Sequence, residues 1–435
     1  MSKEQNISGT ERRRFRPYPK YKDSCLEWLE NIPAVWSCMR LRYLALINPK
    51  KNEIRMLDPA LSISFIPMEA IGEHGELNLE ATKPLGMVAD GYTYFRDGDV
   101  VIAKITPCFE NGKGALAKGL VNGIAFGTTE LHVLRPKPAI DARFLLYLTL
   151  SDQFRRLGTA EMYGAAGQKR VPENSICNFC HPLPNMWEQS VISDFLDRET
   201  AKIDELIAKK ERLVELLQEK RTALITQAVT KGLDPNVPMK DSGVEWLGKI
   251  PSHWKVKMLK RLAFMRAGTA ITSEEIESVG EFPVYGGNGI RGYTGLFTHD
   301  GAYPLVGRQG ALCGCVNFAS GKFWASEHAV VAAPNASVDP HWLANLLQAM
   351  SLNSYSQSAA QPGLAVETIG AIMAPFSALD EQHAITAFLD RDTAKIDSLV
   401  IKIREAIDHL NEYRISLISA AVTGKIDVRK EQLPS

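Results

Sequence analysis

The sequence predicts an α+β protein: two mixed α/β modules joined by two long antiparallel helices that form a coiled coil, with the halves related as a pseudo-two-fold repeat. Three observations point there. Two segments of the chain return further along it, the second returning segment is helical over its whole length, and the intervening stretches alternate short strand-like runs with glycine-rich turns.

The first returning segment is DSCLEWLENIPAVWSCMRLRYLA (Asp23 to Ala45), which reappears as DSGVEWLGKIPSHWKVKMLKRLA (Asp241 to Ala263) at a constant offset of 218. The second is FLDRETAKIDELI (Phe195 to Ile207), which reappears as FLDRDTAKIDSLV (Phe388 to Val400) at an offset of 193, with 19 identities in the 36 positions from 195 to 230. Upstream the same offset pairs Glu188-Gln189 with Glu381-Gln382, Pro182 with Pro375 and Gln168 with Gln361. A repeat of this kind decides architecture before any single residue is interpreted. The order is module, helix, module, helix, with boundaries at 1–185, 186–232, 233–378 and 379–435; between its repeated start and its helix the first module is some 25 residues the longer, the difference of the offsets 218 and 193.

No Pro or Gly interrupts Glu188 to Lys231, and Ala, Leu, Glu, Lys and Arg dominate that stretch, as a long helix requires. The second copy places Leu389, Ile396, Ile403, Leu410 and Leu417 at intervals of seven, with Leu399, Ala406 and Tyr413 three positions on. In the first copy the matching positions are Leu196, Ile203, Lys210, Leu217 and Leu224, with Leu206 and Leu213 three on. Such heptads make an interhelical seam, broken once at Lys210. Gly232 and Gly424 stand where a C-cap belongs. Two helices each buried in its own module would share this composition. Their matched length, roughly 60 Å for forty residues, favours packing on each other, with the modules at opposite ends.

Within the first module, ISFIPM, YTYFRDGDVVIAKI and GALAKGLVNGIAFGTTELHVLRP read as short strands with turns and ARFLLYLTLSDQFRRL as a helix; in the second, EFPVYGGNGIRGYTG, YPLVGRQGALCGCVNFASGKFWAS and HAVVAAP read as strands and PHWLANLLQAM as a helix. Both read as twisted antiparallel strands with a helix rather than βαβ units.

Composition is that of an ordinary globular chain: 435 residues, 45% hydrophobic, 23% charged, with mean hydropathy −0.12. This excludes wholesale disorder. No apolar run reaches the roughly 18 to 20 residues of a membrane span, and the seven cysteines have no regular spacing. A cytoplasmic protein without membrane contact is expected. Fifty Lys+Arg balance fifty Asp+Glu, so any case for a polyanionic partner rests on local patches. Two exist. Arg40, Arg42, Lys50 and Lys51 lie in an acid-free stretch, and the repeat copy carries Lys249, Lys255, Lys257, Lys260, Arg261 and Arg266 without an acid. Corresponding basic strips in diverged copies suggest phosphates.

Nearby loops carry side chains suited to base edges, Arg and Lys for guanine and Asn and Gln for adenine. In the first module these are Lys104, Thr106, Glu110, Asn111, Lys113, Gln168, Lys169 and Arg170; in the second, Asn288, Arg291, Arg308, Gln309, Lys322 and Gln361. Catalytic signatures are missing. There is no Walker A pattern, no dinucleotide fingerprint and no Asn/Asp-Pro-Pro-Tyr run. CNFCH (Cys177 to His181) fits half a metal site or a haem attachment pattern, but no second ligand pair follows. Packing is the expected role of these cysteines, and His74, His132 and His328, which are isolated, read as packing or surface residues. No catalytic residue and no metal ligand is assigned.

FLDRETAKID with its copy FLDRDTAKID, the Glu-Gln pair ahead of each helix, the IPxxW starts at Ile32–Trp36 and Ile250–Trp254, and YTYFRDGDVVIAKITPCFENGK followed by TTELHVLRP together resemble the specificity (S) subunit of type I restriction-modification systems, over nearly the whole chain. That resemblance implies a non-catalytic, sequence-specific DNA-binding subunit with two target recognition domains, each reading one half of an asymmetric bipartite double-stranded target. The helices would set the spacing and dock two modification (methyltransferase) subunits. S-adenosylmethionine for adenine-N6 methylation would then be bound by those partners, and ATP and Mg would serve the restriction (translocase and nuclease) subunits, with no cofactor in this chain. A bivalent protein-binding scaffold with a coiled-coil stalk is the alternative that composition leaves open.

Overall fold

The computed structural model describes residues 15–165, 167–356 and 363–431. The chain divides into two compact units, one taking Met1–Lys209 with Ala406–Ser435 and the other Lys210–Glu405. Two long helices, Met186–Lys231 and Leu379–Val422, each contribute to both.

The first unit holds two four-stranded sheets. One runs in the order Thr82–Pro84, Ser62–Ile66, Ile124–Gly127, Thr93–Arg96; the other in the order Ala45–Ile47, Leu131–Pro136, Val100–Ala103, Gly114–Leu116. The second unit holds one six-stranded sheet, ordered Ala263–Ala267, Ala329–Pro334, His299–Gly307, Val316–Ala325, Phe282–Gly286, Gly289–Thr294. The sequence suggested antiparallel strands throughout. Instead, among the described residues, each unit contains a parallel strand pair, Ser62–Ile66 with Ile124–Gly127 and Phe282–Gly286 with Val316–Ala325. Both pairs are separated by crossovers long enough to reverse direction.

The repeated motifs fasten each module to a long helix. In the first unit the buried Trp36 indole donates to Glu188 Oε2 at 3.1 Å, and Tyr18 donates to Glu188 Oε1 at 2.8 Å. In the second, Trp254 donates to Glu381 Oε2 at 2.8 Å. The neighbouring glutamine is fully buried in both. Gln189 Oε1 accepts from the amide of Asp141 at 2.8 Å and Gln382 Oε1 from that of Asp339 at 2.9 Å. Those aspartates are the N-caps of helices Ala142–Leu150 and Pro340–Ala349, so the Glu-Gln pair ties an IPxxW turn and a helix start to one point. A buried glutamine amide bonded alike in two diverged copies, beside a carboxylate that holds the tryptophan in both, is a positioning device.

Asn185 caps the first long helix by accepting from Glu188 N at 3.0 Å. Gly232 and Gly424 close the two helices with φ of 75° and 73°, the left-handed conformation that glycine takes without a Cβ penalty. Within the first unit Glu188 lies near Arg429 and Asp204 is bonded to Arg414. Within the second, Arg221 Nε bonds Asp397 at 3.0 Å, and Ile225 and Val229 share a core with Ile385 and Leu389. The helix segments therefore run antiparallel inside each unit.

Burial corrects half of the expected seam. Leu196, Ile203, Leu389, Ile396, Ile403 and Leu417 are buried, and Leu217, Leu224 and Leu410 half-buried. Leu206, Leu213 and Leu399, however, are 43%, 44% and 44% exposed. The second row of the seam lies four positions on, not three: Ile207, Val214, Val400 and Ile407 are half-buried and Arg414 is buried. Residues i+3 and i+4 flank the stripe on opposite sides of a 3.6-residue turn. Leucine at one and a β-branched residue at the other left the sequence ambiguous.

Among the described residues no helix is long and apolar enough to cross a membrane.

Candidate nucleic-acid interface

In the first unit the strand Val100–Ala103 ends at Lys104, whose backbone is held on both sides. Its amide donates to the Glu130 carbonyl and its carbonyl accepts from the Val171 amide, each at 2.9 Å. Ile105 then forms a bridge with Arg170, and the Thr106 hydroxyl donates to Gly167 O at 2.7 Å while accepting from Lys169 N at 2.9 Å. Lys104, Thr106, Gln168, Lys169 and Arg170 are thus brought together on two paired loops, with Gln168 and Lys169 exposed. Arg170 is engaged by Glu130 through two 2.8 Å bonds, and this pairing holds the Glu130 carboxyl below its usual range. Lys104 also lines a cleft of about 320 Å³ with Lys50, Lys51 and Tyr92, so one end of the basic strip joins this group.

The other candidates of this unit stand elsewhere. Glu110, Asn111 and Lys113 sit in a turn anchored by buried Phe109, where Asn111 donates to Glu73 at 2.9 Å and Lys113 to the Met68 carbonyl at 3.3 Å. Glu110 shares a depression of about 490 Å³ with Arg155 and Arg156. Arg155, which the sequence did not single out, has a buried Nε without a partner among the described residues, and burial pushes its pKa down. It packs against Gly112, whose φ of 79° and lack of a side chain admit it. Arg40 lines a groove with Trp28 and Phe179, and Arg42 reaches the Cys177 carbonyl at 3.5 Å.

In the second unit Arg308 follows the strand His299–Gly307. Its amide donates to the His328 carbonyl and its carbonyl accepts from Leu364 N, again each at 2.9 Å. Gln309 bridges Gly363. Asn288 is exposed at a hairpin tip whose Gly287 faces the His328 carbonyl, and Arg291 folds back over Gly286. Asn288, Arg308 and Gln309 therefore gather at one end of the sheet. Lys322 does not: it pairs with Asp300 at the far end of the ladder, with Nζ 4.7 Å from the Phe297 ring centre. Lys257 packs its ammonium 3.5 Å above Phe376, and Lys260 is exposed beside Gly370. Gln361 lies outside the described residues.

Among the described residues two histidines are buried, His132 and His181, whereas the His328 side chain is 42% exposed. His181 is buried among Trp28, Phe144 and Phe179, and its burial pushes its pKa down to about 4. His132 is buried with Nε2 3.0 Å from the Val171 carbonyl, which adds a side-chain tie to the loop beside Lys104. Among the described residues no group of three or more His, Cys, Asp or Glu is arranged to hold a metal, and the seven cysteines are unpaired.

Residues 251–409 match the model of the type I restriction modification DNA specificity domain. This stretch of the chain is therefore similar to the DNA specificity domain of type I restriction-modification systems. The chain is 45% identical over 167 residues to the Escherichia coli type I restriction enzyme EcoAI specificity subunit, and 41% identical over 163 residues to the EcoEI specificity subunit of the same organism. Each match takes 37% of this chain and 27% of the relative, so the alignment spans little over a quarter of those relatives' length. Two solved structures share the fold over 91% of the chain. One, from a study of complex assembly and conformational transition of the type I R-M system, has a TM-score of 0.72 at 16% identity and is covered over 99% of its length; the HsdS subunit of Thermoanaerobacter tengcongensis has 0.51 at 17% and is covered over 98%.

Proposed function

We propose that this chain is the DNA-reading specificity subunit of a type I restriction-modification enzyme. Each unit carries one target recognition domain that reads one half of a bipartite, asymmetric double-stranded target. The long helices set the spacing between half-sites and dock the modification subunits, in a complex that restriction subunits complete. The chain itself is non-catalytic. S-adenosylmethionine, ATP and Mg belong to the partners, and no residue here is assigned to hold them.

One observation carries this reading: the same fastening of module to helix, Trp to Glu and Gln to a capping Asp, occurs in both units, while the loops bearing Lys104 and Arg308 differ in sequence. Constant mounts with variable loops suit a family that changes what it reads and keeps how it assembles. Selection from a random duplex library by the full chain with its modification subunits should return two short specific segments separated by a non-specific gap. Affinity should fall steeply with salt, as phosphate contacts require. A single continuous motif, or salt-independent binding, contradicts the proposal. Lengthening both helices by one heptad should change the tolerated gap; an unchanged gap removes the spacing role.

A further inference from the structure

The two modules differ in sequence and in sheet topology between their shared ends, yet a small set of backbone hydrogen bonds around one loop recurs in both. The strand ending at Ala103 pairs with one beginning at Leu131, and the strand ending at Gly307 with one beginning at Ala329. One residue further, Lys104 N donates to Glu130 O and Arg308 N to His328 O, the carbonyls just before those partner strands. The Lys104 carbonyl accepts from Val171 N and the Arg308 carbonyl from Leu364 N. Val171 and Leu364 are themselves related by the repeat offset of 193, as are Arg170 and Gly363, which bridge Ile105 and Gln309. The parallel strands agree, since Thr128 N donates to Ile66 O and Ser326 N to Tyr285 O. Lys104 and Arg308 therefore occupy one structural position. They are 204 residues apart, which fits neither repeat offset, so the sequence repeat does not align them.

That position has two properties that select it. Its backbone is bonded through both amide and carbonyl, which makes a rigid pedestal. Its side chain is in each case a long cation that makes no side-chain hydrogen bond or salt bridge among the described residues, although the Lys104 charge helps lower the Glu130 pKa. A phosphate contact tolerates a loose base, because the phosphate backbone is the same everywhere; reading a base edge needs a fixed one. The surroundings differ: beside Lys104 the next cation, Arg170, is neutralised by Glu130, whereas beside Arg308 the equivalent residues are Gly363 and His328. Resting on the DNA-reading role above, we propose that Lys104 and Arg308 are the equivalent specificity-determining residues of the two domains, each contacting the O6/N7 edge of a guanine in its own half-site. Their unlike neighbours would make the two halves read differently.

The test is selection from a random duplex library by the full chain with its modification subunits, with a salt titration on the selected site. Lys104→Met should erase the preference for one G·C pair in one half-site, leave the other half intact, and weaken binding to the wild-type site roughly 5- to 150-fold. Arg308→Met should do the same in the other half only. The exchanges Lys104→Arg and Arg308→Lys should retain the guanine, and they decide the matter should a methionine variant fail to fold. The inference is overturned if the methionine variants keep the wild-type motif and merely bind all sequences more weakly with a shallower salt slope, which marks phosphate contacts. It is also overturned if one substitution alters both halves. Failure of the wild-type protein to select any sequence would instead remove the DNA-reading role on which the assignment rests.

Discussion

Asp204–Arg414 in the first unit and Arg221–Asp397 in the second are the same ion pair twice, since each arginine and each aspartate is related to its counterpart by the offset of 193. Their surroundings are not the same. The Arg414 side chain is 4% exposed, bonds both oxygens of Asp204 and reaches the His74 carbonyl at 3.4 Å. Arg221 is 31% exposed and its Asp397 partner 52%. The carboxylates that hold the tryptophans diverge likewise. Glu188 is buried and takes Tyr18, Trp36 and the nearby Arg429, while Glu381 is half-buried and takes Trp254 with His253 at 3.0 Å. The repeat thus preserves the pairing, and the module packed around it sets the energy.

The largest difference between the units should appear at the carboxylates. Glu188→Ala leaves a buried indole N–H and a phenol unsatisfied, costing about 4 kcal/mol. Glu381→Ala, whose partners are nearer solvent, should cost about half as much, and denaturant unfolding of the two variants compares them. Equal losses would show that burial does not separate the mounts.

The ion pairs give a second contrast. Asp204→Asn strands a buried guanidinium and should cost about 3 kcal/mol, whereas Asp397→Asn should cost less than about 1 kcal/mol, read by the same unfolding curves.

His181 supplies a pH test confined to the first unit. Its folded pKa of about 4 lies below the ordinary value near 6.5, so the neutral ring contributes stability that is fully present above pH 6.5. It is lost progressively as pH falls toward 4, up to about 3 kcal/mol. His181→Phe, placed among Trp28, Phe144 and Phe179, should flatten the fall of melting temperature over that window; an unchanged slope would assign it to other groups.

The smallest contrast lies within the helix pair. Ile203→Ala should cost about 2 to 3 kcal/mol, and Leu213→Ala, on the exposed flank, less than about 1 kcal/mol, by thermal unfolding.

Much of this architecture was legible in the sequence, because the Glu-Gln pair, the IPxxW starts and the glycine caps are short, repeated and chemically particular. The row of the seam at Ile207 and Val214 was not, since Leu206 and Leu213 satisfy a heptad equally well and only packing chooses. Of the candidate reading residues, Gln168 was singled out by its match to Gln361 in the repeat. The equivalence of Lys104 and Arg308 was invisible, because it is written in backbone hydrogen bonds between segments of unequal length. Arg155 escaped for a related reason: its meaning comes from the space above Gly112, some forty residues away in sequence.

The account turns on two readers acting separately from one chain. Replacing residues 23–172 with the corresponding module of another specificity subunit, and repeating the selection from random duplex DNA, tests it most directly. One half of the selected target should change while the other half is kept. A change in both halves, or in neither, would contradict it.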